Sequence, residues 1–279
     1  MTGSQITFGE RLKQAGATHG RLCVGIDPHA ALLERWGLSL NVQGLAAFTE
    51  ICVEAFAGNT ALVKPQVAFY ESYGSSGFAI LEDAISHLRD AGTLVLADAK
   101  RGDIGSTMAG YATAWLDDAS PLCCDAVTVS PYLGYGSLKP VLDIAEKKNR
   151  GVFVLAATSN SEARLLQDHR DSQGRTISQQ IVDSVARDNA EHAAVGNAGN
   201  IGVVVGATLV EPPNLSQLAG PVLLPGVGAQ GATAEDITRI TEGITELAFP
   251  NISRAILSRG PSVEALKDAV ALSALDFRD

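Results

Sequence analysis

An acid and an amine stand two residues apart in Asp98-Ala99-Lys100-Arg101-Gly102-Asp103, directly after the apolar run Thr93-Leu94-Val95-Leu96-Ala97. A strand turns successive side chains to opposite faces, so Asp98 and Lys100 share one face while Ala99 points away. Asp103 follows past Gly102, whose missing Cβ lets the chain turn sharply. Carboxylates beside an amine keep it protonated, so the group can present a fixed positive charge or deliver a proton. An isolated D-x-K-x-x-D match is most often a solvated loop with incidental ion pairs. The buried-strand pattern ahead of it changes that balance, because α/β proteins build sites at the carboxyl ends of such strands.

The elements that must position these groups alternate along the chain. Short apolar segments read as strands at Leu22–Ile26, Thr60–Val63, Thr93–Ala97, Ala126–Val129, Gly151–Leu155, Gly202–Val205, Pro221–Leu224 and Ala255–Leu257. Between them, 44–56, 79–90, 136–147, 178–192, 234–240 and 262–272 carry apolar residues at helical spacing. Eight such units in a chain of 279 residues predict a closed (β/α)8 TIM barrel forming one domain over 1–279, with an open doubly wound sheet as the structural alternative. The polar stretch around 162–200 reads as an insertion or lid.

A closed barrel would bring further chemistry to the same mouth. Strand one ends in Asp27, strand two in Lys64, strand four in Ser130-Pro131 and strand five in Thr158-Ser159-Asn160. Asp27 before Pro28 is equally compatible with a simple turn, whereas an ammonium directly after Ala61-Leu62-Val63 needs a partner. Two lysines and three carboxylates can share one pocket only if they alternate. Strand seven runs into Pro225-Gly226-Val227-Gly228-Ala229-Gln230-Gly231, whose G-x-G-x-x-G pattern comes too late for a dinucleotide fold. Its glycines would still let backbone N–H groups approach a phosphate, helped by the helix starting near Thr233. With Ala255–Leu257 read as strand eight, Arg259 falls at its end and offers a charged fork to a phosphate.

Composition narrows the classes. The net charge of −10 argues against a nucleic-acid partner, so an anionic substrate needs a local basic pocket. The polar start of the chain and the absence of any ~20-residue apolar run suggest a cytoplasmic protein with no membrane partner. Cys23, Cys52, Cys123 and Cys124 read as reduced core thiols, and the five histidines show no metal-ligand spacing.

Taken in order and spacing from Asp27 to Arg259, these residues resemble the orotidine 5'-phosphate decarboxylase family in its longer bacterial form. The run Lys100-Arg101-Gly102-Asp103-Ile104-Gly105-Ser106-Thr107 carries much of the likeness. The resemblance implies a homodimeric barrel that needs no metal or organic cofactor. It would convert orotidine 5'-monophosphate to uridine 5'-monophosphate and CO2. It further implies Lys100 as proton donor to C6, Asp98 against the leaving carboxylate, and Lys64 and Asp27 on ribose hydroxyls. Asp103 and Thr107 would reach the partner subunit's site, while Gly228, Gln230 and Arg259 would hold the phosphate. Thr158 or the adjacent Ser159 would face the pyrimidine. Two rivals stand beside this reading: a magnesium-dependent sugar-phosphate decarboxylase or aldolase of the same barrel class, and a catalytically silent nucleotide-binding barrel. Lys64 weighs against the first, since a metal site would want a carboxylate at that strand end.

Overall fold

In the computed structural model, which describes residues 6–228 and 231–278, eight parallel strands close into a barrel in sequence order. They are β1 (Cys23–Ile26), β2 (Leu62–Pro65), β3 (Leu94–Arg101), β4 (Ala126–Val129), β5 (Gly151–Ala157), β6 (Ile201–Val205), β7 (Val222–Pro225) and β8 (Ala248–Ile252). The helices are α1 (Phe8–His19), α2 (Ala30–Arg35), α3 (Val42–Phe56), α4 (Val67–Glu71), α5 (Gly74–Asp90), α6 (Gly105–Leu116) and α7 (Lys139–Lys148). There follow α8 (Arg164–Gln167), α9 (Ile177–Asp188), α10 (Ala190–Ala194), α11 (Ala234–Ile240), α12 (Arg254–Leu257) and α13 (Val263–Leu275). No helix among the described residues is long and apolar enough to cross a membrane.

Side-chain parity divides each strand between two apolar layers. Val24, Val63, Val95, Ala97 and Val127 face outward and pack in the large core beneath the helices. Cys23, Leu62, Leu94, Leu96, Ala126, Phe153 and Phe249 point inward and fill the barrel together with Phe8 and Leu12 of α1. Phe8 meets Phe153 edge-on at 6.0 Å, so α1 stoppers the amino-terminal end of the barrel. Continuing the inward parity toward the other end replaces hydrocarbon with Asp27, Lys64, Asp98 and Thr128. The same alternation that packs the lower barrel therefore delivers polar groups to its carboxyl mouth.

Strand eight departs from the sequence expectation. It is Ala248–Ile252, and Ala255–Leu257 lies instead on the short helix α12. Pro250 and Asn251 disfavour a strand by composition, but closure tolerates them, with Pro250 opposite Leu224 and Asn251 opposite Pro225. The 162–200 stretch also resolves into parts: α8, a turn closed by a bridge between Arg170 and Thr176, and α9 with α10 as the crossover to β6. Strands two and three run further than expected, so Lys64 and Lys100 sit within strands rather than after them.

Candidate active site

Asp98 is the hub of the mouth. Its carboxylate receives four donors: Lys64 Nζ at 2.9 Å and Gln66 Nε2 at 2.9 Å on Oδ2, and Lys100 Nζ at 2.6 Å and Thr128 Oγ1 at 2.9 Å on Oδ1. Lys64 and Asp98 are both buried, whereas the Lys100 side chain keeps 45% exposure. Burial pushes the Asp98 pKa up, but the fields of Lys64 and Lys100 and their hydrogen bonds outweigh it and hold the carboxyl far below the usual range. For Lys64, burial favours the neutral amine, and Asp98 and Asp27 overcome it so that the ammonium persists. Two cations thus bracket one anion, and the exposed one, Lys100, faces the mouth.

Asp27 adds a second acid. Its Oδ1 lies 4.0 Å from Lys64 Nζ and is buried with no hydrogen-bond donor among the described residues. An acceptor held this way can take a hydroxyl from a ligand at modest cost, since its desolvation has already occurred. Gly25 makes the approach possible: a Cβ there would fall 1.9 Å from Ser253 Oγ and 3.2 Å from Asp27 Oδ2. Below them, Asn251 Nδ2 donates to the Cys23 carbonyl at 3.0 Å, and burial lifts the Cys23 thiol to about 12, which leaves it inert.

Lys100 is one of three non-glycine residues with positive φ among those described, at +50°. Asn149 is a helix cap, where this conformation is ordinary. For a lysine the left-handed region costs roughly 1–2 kcal/mol. It coincides with the register slip of β3 against β4 between Ala97 and Arg101. Beyond it Arg101 pairs with Glu71 and stacks over Tyr111 and Trp115 at 5.6 and 5.9 Å, fixing the strand end to α4 and α6.

The remaining expected site residues are placed more variously. Asp103 Oδ1 accepts from Ile104 N at 2.7 Å, and among the described residues it pairs with no cation. Thr107 is exposed on the first turn of α6. The N–H of Thr158 donates to Gln167 Oε1 at 2.7 Å and its hydroxyl accepts from Gln167 Nε2 at 3.0 Å, so α8 engages both. Ser159 is exposed and borders a cavity of about 700 Å3 shared with Arg164, Arg170, Arg175 and the 208–213 segment. None of Asp27, Lys64, Asp98 or Lys100 lines that cavity.

On the anion side, Gly226, Gly228 and Gly231 all adopt positive φ, as a tight loop after β7 requires. Gly228 N is spent on Ala232 O at 3.1 Å, and Gln230 lies outside the described residues. The following helix closes its own first turn with a capping box between Thr233 and Asp236, so its N-terminus has fewer donors for a ligand than expected. Arg259 does not stand at the end of strand eight as expected: it lies seven residues beyond β8, after α12, and is exposed, as Arg254 also is. Arg254, two residues after Ile252, is the arginine at the strand end. The apolar triplet Ala255–Leu257 hid it from the sequence reading, whereas Gln66 and Thr128 continue the inward parity of β2 and β4 but carry no charge to mark them.

Fold and charge array together define a (β/α)8 barrel with its site at the carboxyl ends of the strands. The chain belongs to the orotidine 5'-phosphate decarboxylase / HUMPS family, whose model matches residues 20–269. It is 64% identical over 272 residues to the orotidine 5'-phosphate decarboxylase of Corynebacterium glutamicum (strain R), covering 98% of each chain. The enzyme of that name from Corynebacterium efficiens is 64% identical over 271 residues, 97% of each. A solved Streptomyces avermitilis structure, named provisionally as an orotidine 5'-phosphate decarboxylase, superposes with a TM-score of 0.93 at 47% identity, covering 98% of this chain and 95% of that one.

Proposed function

We propose that this protein converts orotidine 5'-monophosphate to uridine 5'-monophosphate and CO2, with Lys100 as the proton donor and no metal or organic cofactor. The observation that carries the reading is the Lys64–Asp98–Lys100 array, with Lys100 Nζ 2.6 Å from Asp98 and open to the mouth. Breaking the bond between C6 and the carboxyl carbon leaves an electron pair on C6 that the ring carbonyls cannot readily delocalise. Fixed positive charge must stabilise it. The Lys100 ammonium supplies that charge, then gives a proton to C6 and regains one from solvent. The substrate carboxylate would lie against ionised Asp98, a repulsion that vanishes once neutral CO2 forms. Asp27, with its unspent acceptor, and Lys64 suit ribose hydroxyls.

A magnesium-dependent reading fits less well, because ammonium groups already occupy the positions beside Asp98 where a divalent ion would sit. The deciding experiment follows the absorbance of orotidine 5'-monophosphate with purified protein, with and without chelator. Turnover unaffected by chelator is expected. Loss of turnover in chelator would restore the metal-dependent rival, and tight uridine 5'-monophosphate binding without turnover would mean a silent barrel.

Arg254 is the phosphate ligand in this reading. Arg254→Ala is expected to lower kcat/KM by about 2–5 kcal/mol equivalents, and Arg259→Ala by less than about 1 kcal/mol. Steady-state kinetics of the two variants, with the reverse ranking, would return the phosphate to Arg259.

The reading also includes a homodimer in which Asp103 and Thr107 complete the partner's site. Exposed Ile104, Tyr132 and Leu133 on the neighbouring mouth loops support it, as does an Asp103 carboxylate that takes the Ile104 N–H but pairs with no cation among the described residues. Inactive Lys100→Ala and Asp103→Asn variants, unfolded together and refolded as mixed dimers, should recover about a quarter of wild-type activity, since half the dimers carry one intact site. No recovery would place Asp103 in its own subunit's site.

A further inference from the structure

We propose that Thr128, aided by Ser130, is the positioning residue that holds Lys100 in its left-handed conformation and aims its amine at the reacting carbon, an inference that rests on the decarboxylase reading. Thr128 is buried, on the inward face of β4. Its Oγ1 accepts the Lys100 backbone N–H at 2.9 Å and donates to Asp98 Oδ1 at 2.9 Å. The direction of both bonds is forced. An amide N–H can only donate and an ionised carboxylate can only accept, so the hydroxyl has a single arrangement with no rotational alternative. One oxygen atom therefore ties the backbone of Lys100 to the same carboxylate oxygen that its own ammonium contacts at 2.6 Å.

Ser130, just past the end of β4, acts on the other side of the same residue. Ser130 Oγ donates to the Lys100 carbonyl at 3.2 Å, and Ser130 N donates to Arg101 O at 2.8 Å. Gly102 then passes so close that a Cβ would fall 2.3 Å from Ser130 O. The N–H and the C=O of Lys100 are thus each gripped by a side chain, one from β4 and one from the residue just after it, at the point where β3 slips register. Regular strand pairing supplies neither bond here. Without the Thr128 hydroxyl the backbone of Lys100 can relax toward ordinary strand angles, which would turn its side chain away from Asp98.

The test uses Thr128→Val, nearly isosteric but without the hydroxyl, and Thr128→Ser, which keeps it. Amide hydrogen exchange at Lys100 should quicken by about 10-fold or more in Thr128→Val, while amides elsewhere in the barrel keep their wild-type protection. Its kcat for orotidine 5'-monophosphate should fall by about 10- to 100-fold with KM within about twofold, the loss of a hydrogen bond to a charged network. Thr128→Ser should restore both. Should Thr128→Val not fold, Thr128→Cys, with a weak sulfur donor of similar size, should show the same loss in kcat. Wild-type kcat in a folded Val or Cys variant overturns the proposal. A wild-type protein that does not turn over the nucleotide defeats the decarboxylase reading instead, and the exchange measurement, which needs no substrate, then decides the clamp alone.

Discussion

Lys100→Ala is expected to cut turnover of orotidine 5'-monophosphate by on the order of 10⁴-fold or more, because on the proposed mechanism it removes both the proton donor and the fixed charge facing C6. Nucleotide binding should change far less, since the groups assigned to ribose and phosphate are untouched. The fold should survive as well: the Lys100 side chain is 45% exposed, and Asp98 keeps Lys64, Gln66 and Thr128 as donors. Pre-steady-state turnover and product binding, measured on the same preparation, check this. A variant that releases product at anything near the wild-type rate would remove Lys100 from the chemistry.

Asp98→Ala is expected to be costly in a different way. It leaves Lys64 buried and charged beside the more distant Asp27 alone, the circumstance in which breaking an ion pair costs about 3–5 kcal/mol. For a chain of this size that corresponds to a fall in Tm on the order of 10 °C. Its pH dependence has a definite sign. The Asp98 pKa is depressed in the fold, so its contribution is fully present above the unfolded carboxyl value of about 3.9 and is lost as the pH falls below it toward the lower folded value. Denaturant midpoints for wild type and variant should therefore differ most near neutral pH and converge in acid. A gap that stays constant down to acid pH would mean that the carboxylate charge is not what stabilises Lys64. Lys64→Met in the Asp98→Ala background should recover part of the loss, since it removes the stranded ammonium.

Much of this architecture was legible from pattern alone. Seven of the eight strands were found where the apolar runs lay, because both inward and outward faces of a barrel strand are buried and the run is therefore continuous. Asp27, Lys64, Asp98 and Lys100 stood out because charges directly after or within such runs have to be brought together or abandoned to solvent. The amino-terminal stopper was missed, although Thr7 before Phe8, with Leu12 one turn on, carried a cap and an apolar stripe. Its function is to fill the barrel's open end, a need that exists only once the barrel is closed.

Local pattern determined the alternation of strand and helix, the parity that sends acids and amines to one end, and the order in which they arrive. Three things waited for the tertiary structure. Strand eight could be recognised only by its neighbours, since Pro250 and Asn251 join a strand solely when β7 and β1 flank them; with that shift Arg254, not Arg259, is the arginine next to the strand end. Gln66 and Thr128 became part of the site only when Asp98 was seen to need four donors. The left-handed turn at Lys100 arises from a register slip between strands. Spacing along a chain specifies which face a residue takes, but which atoms meet across strands depends on how far each strand slides against the next.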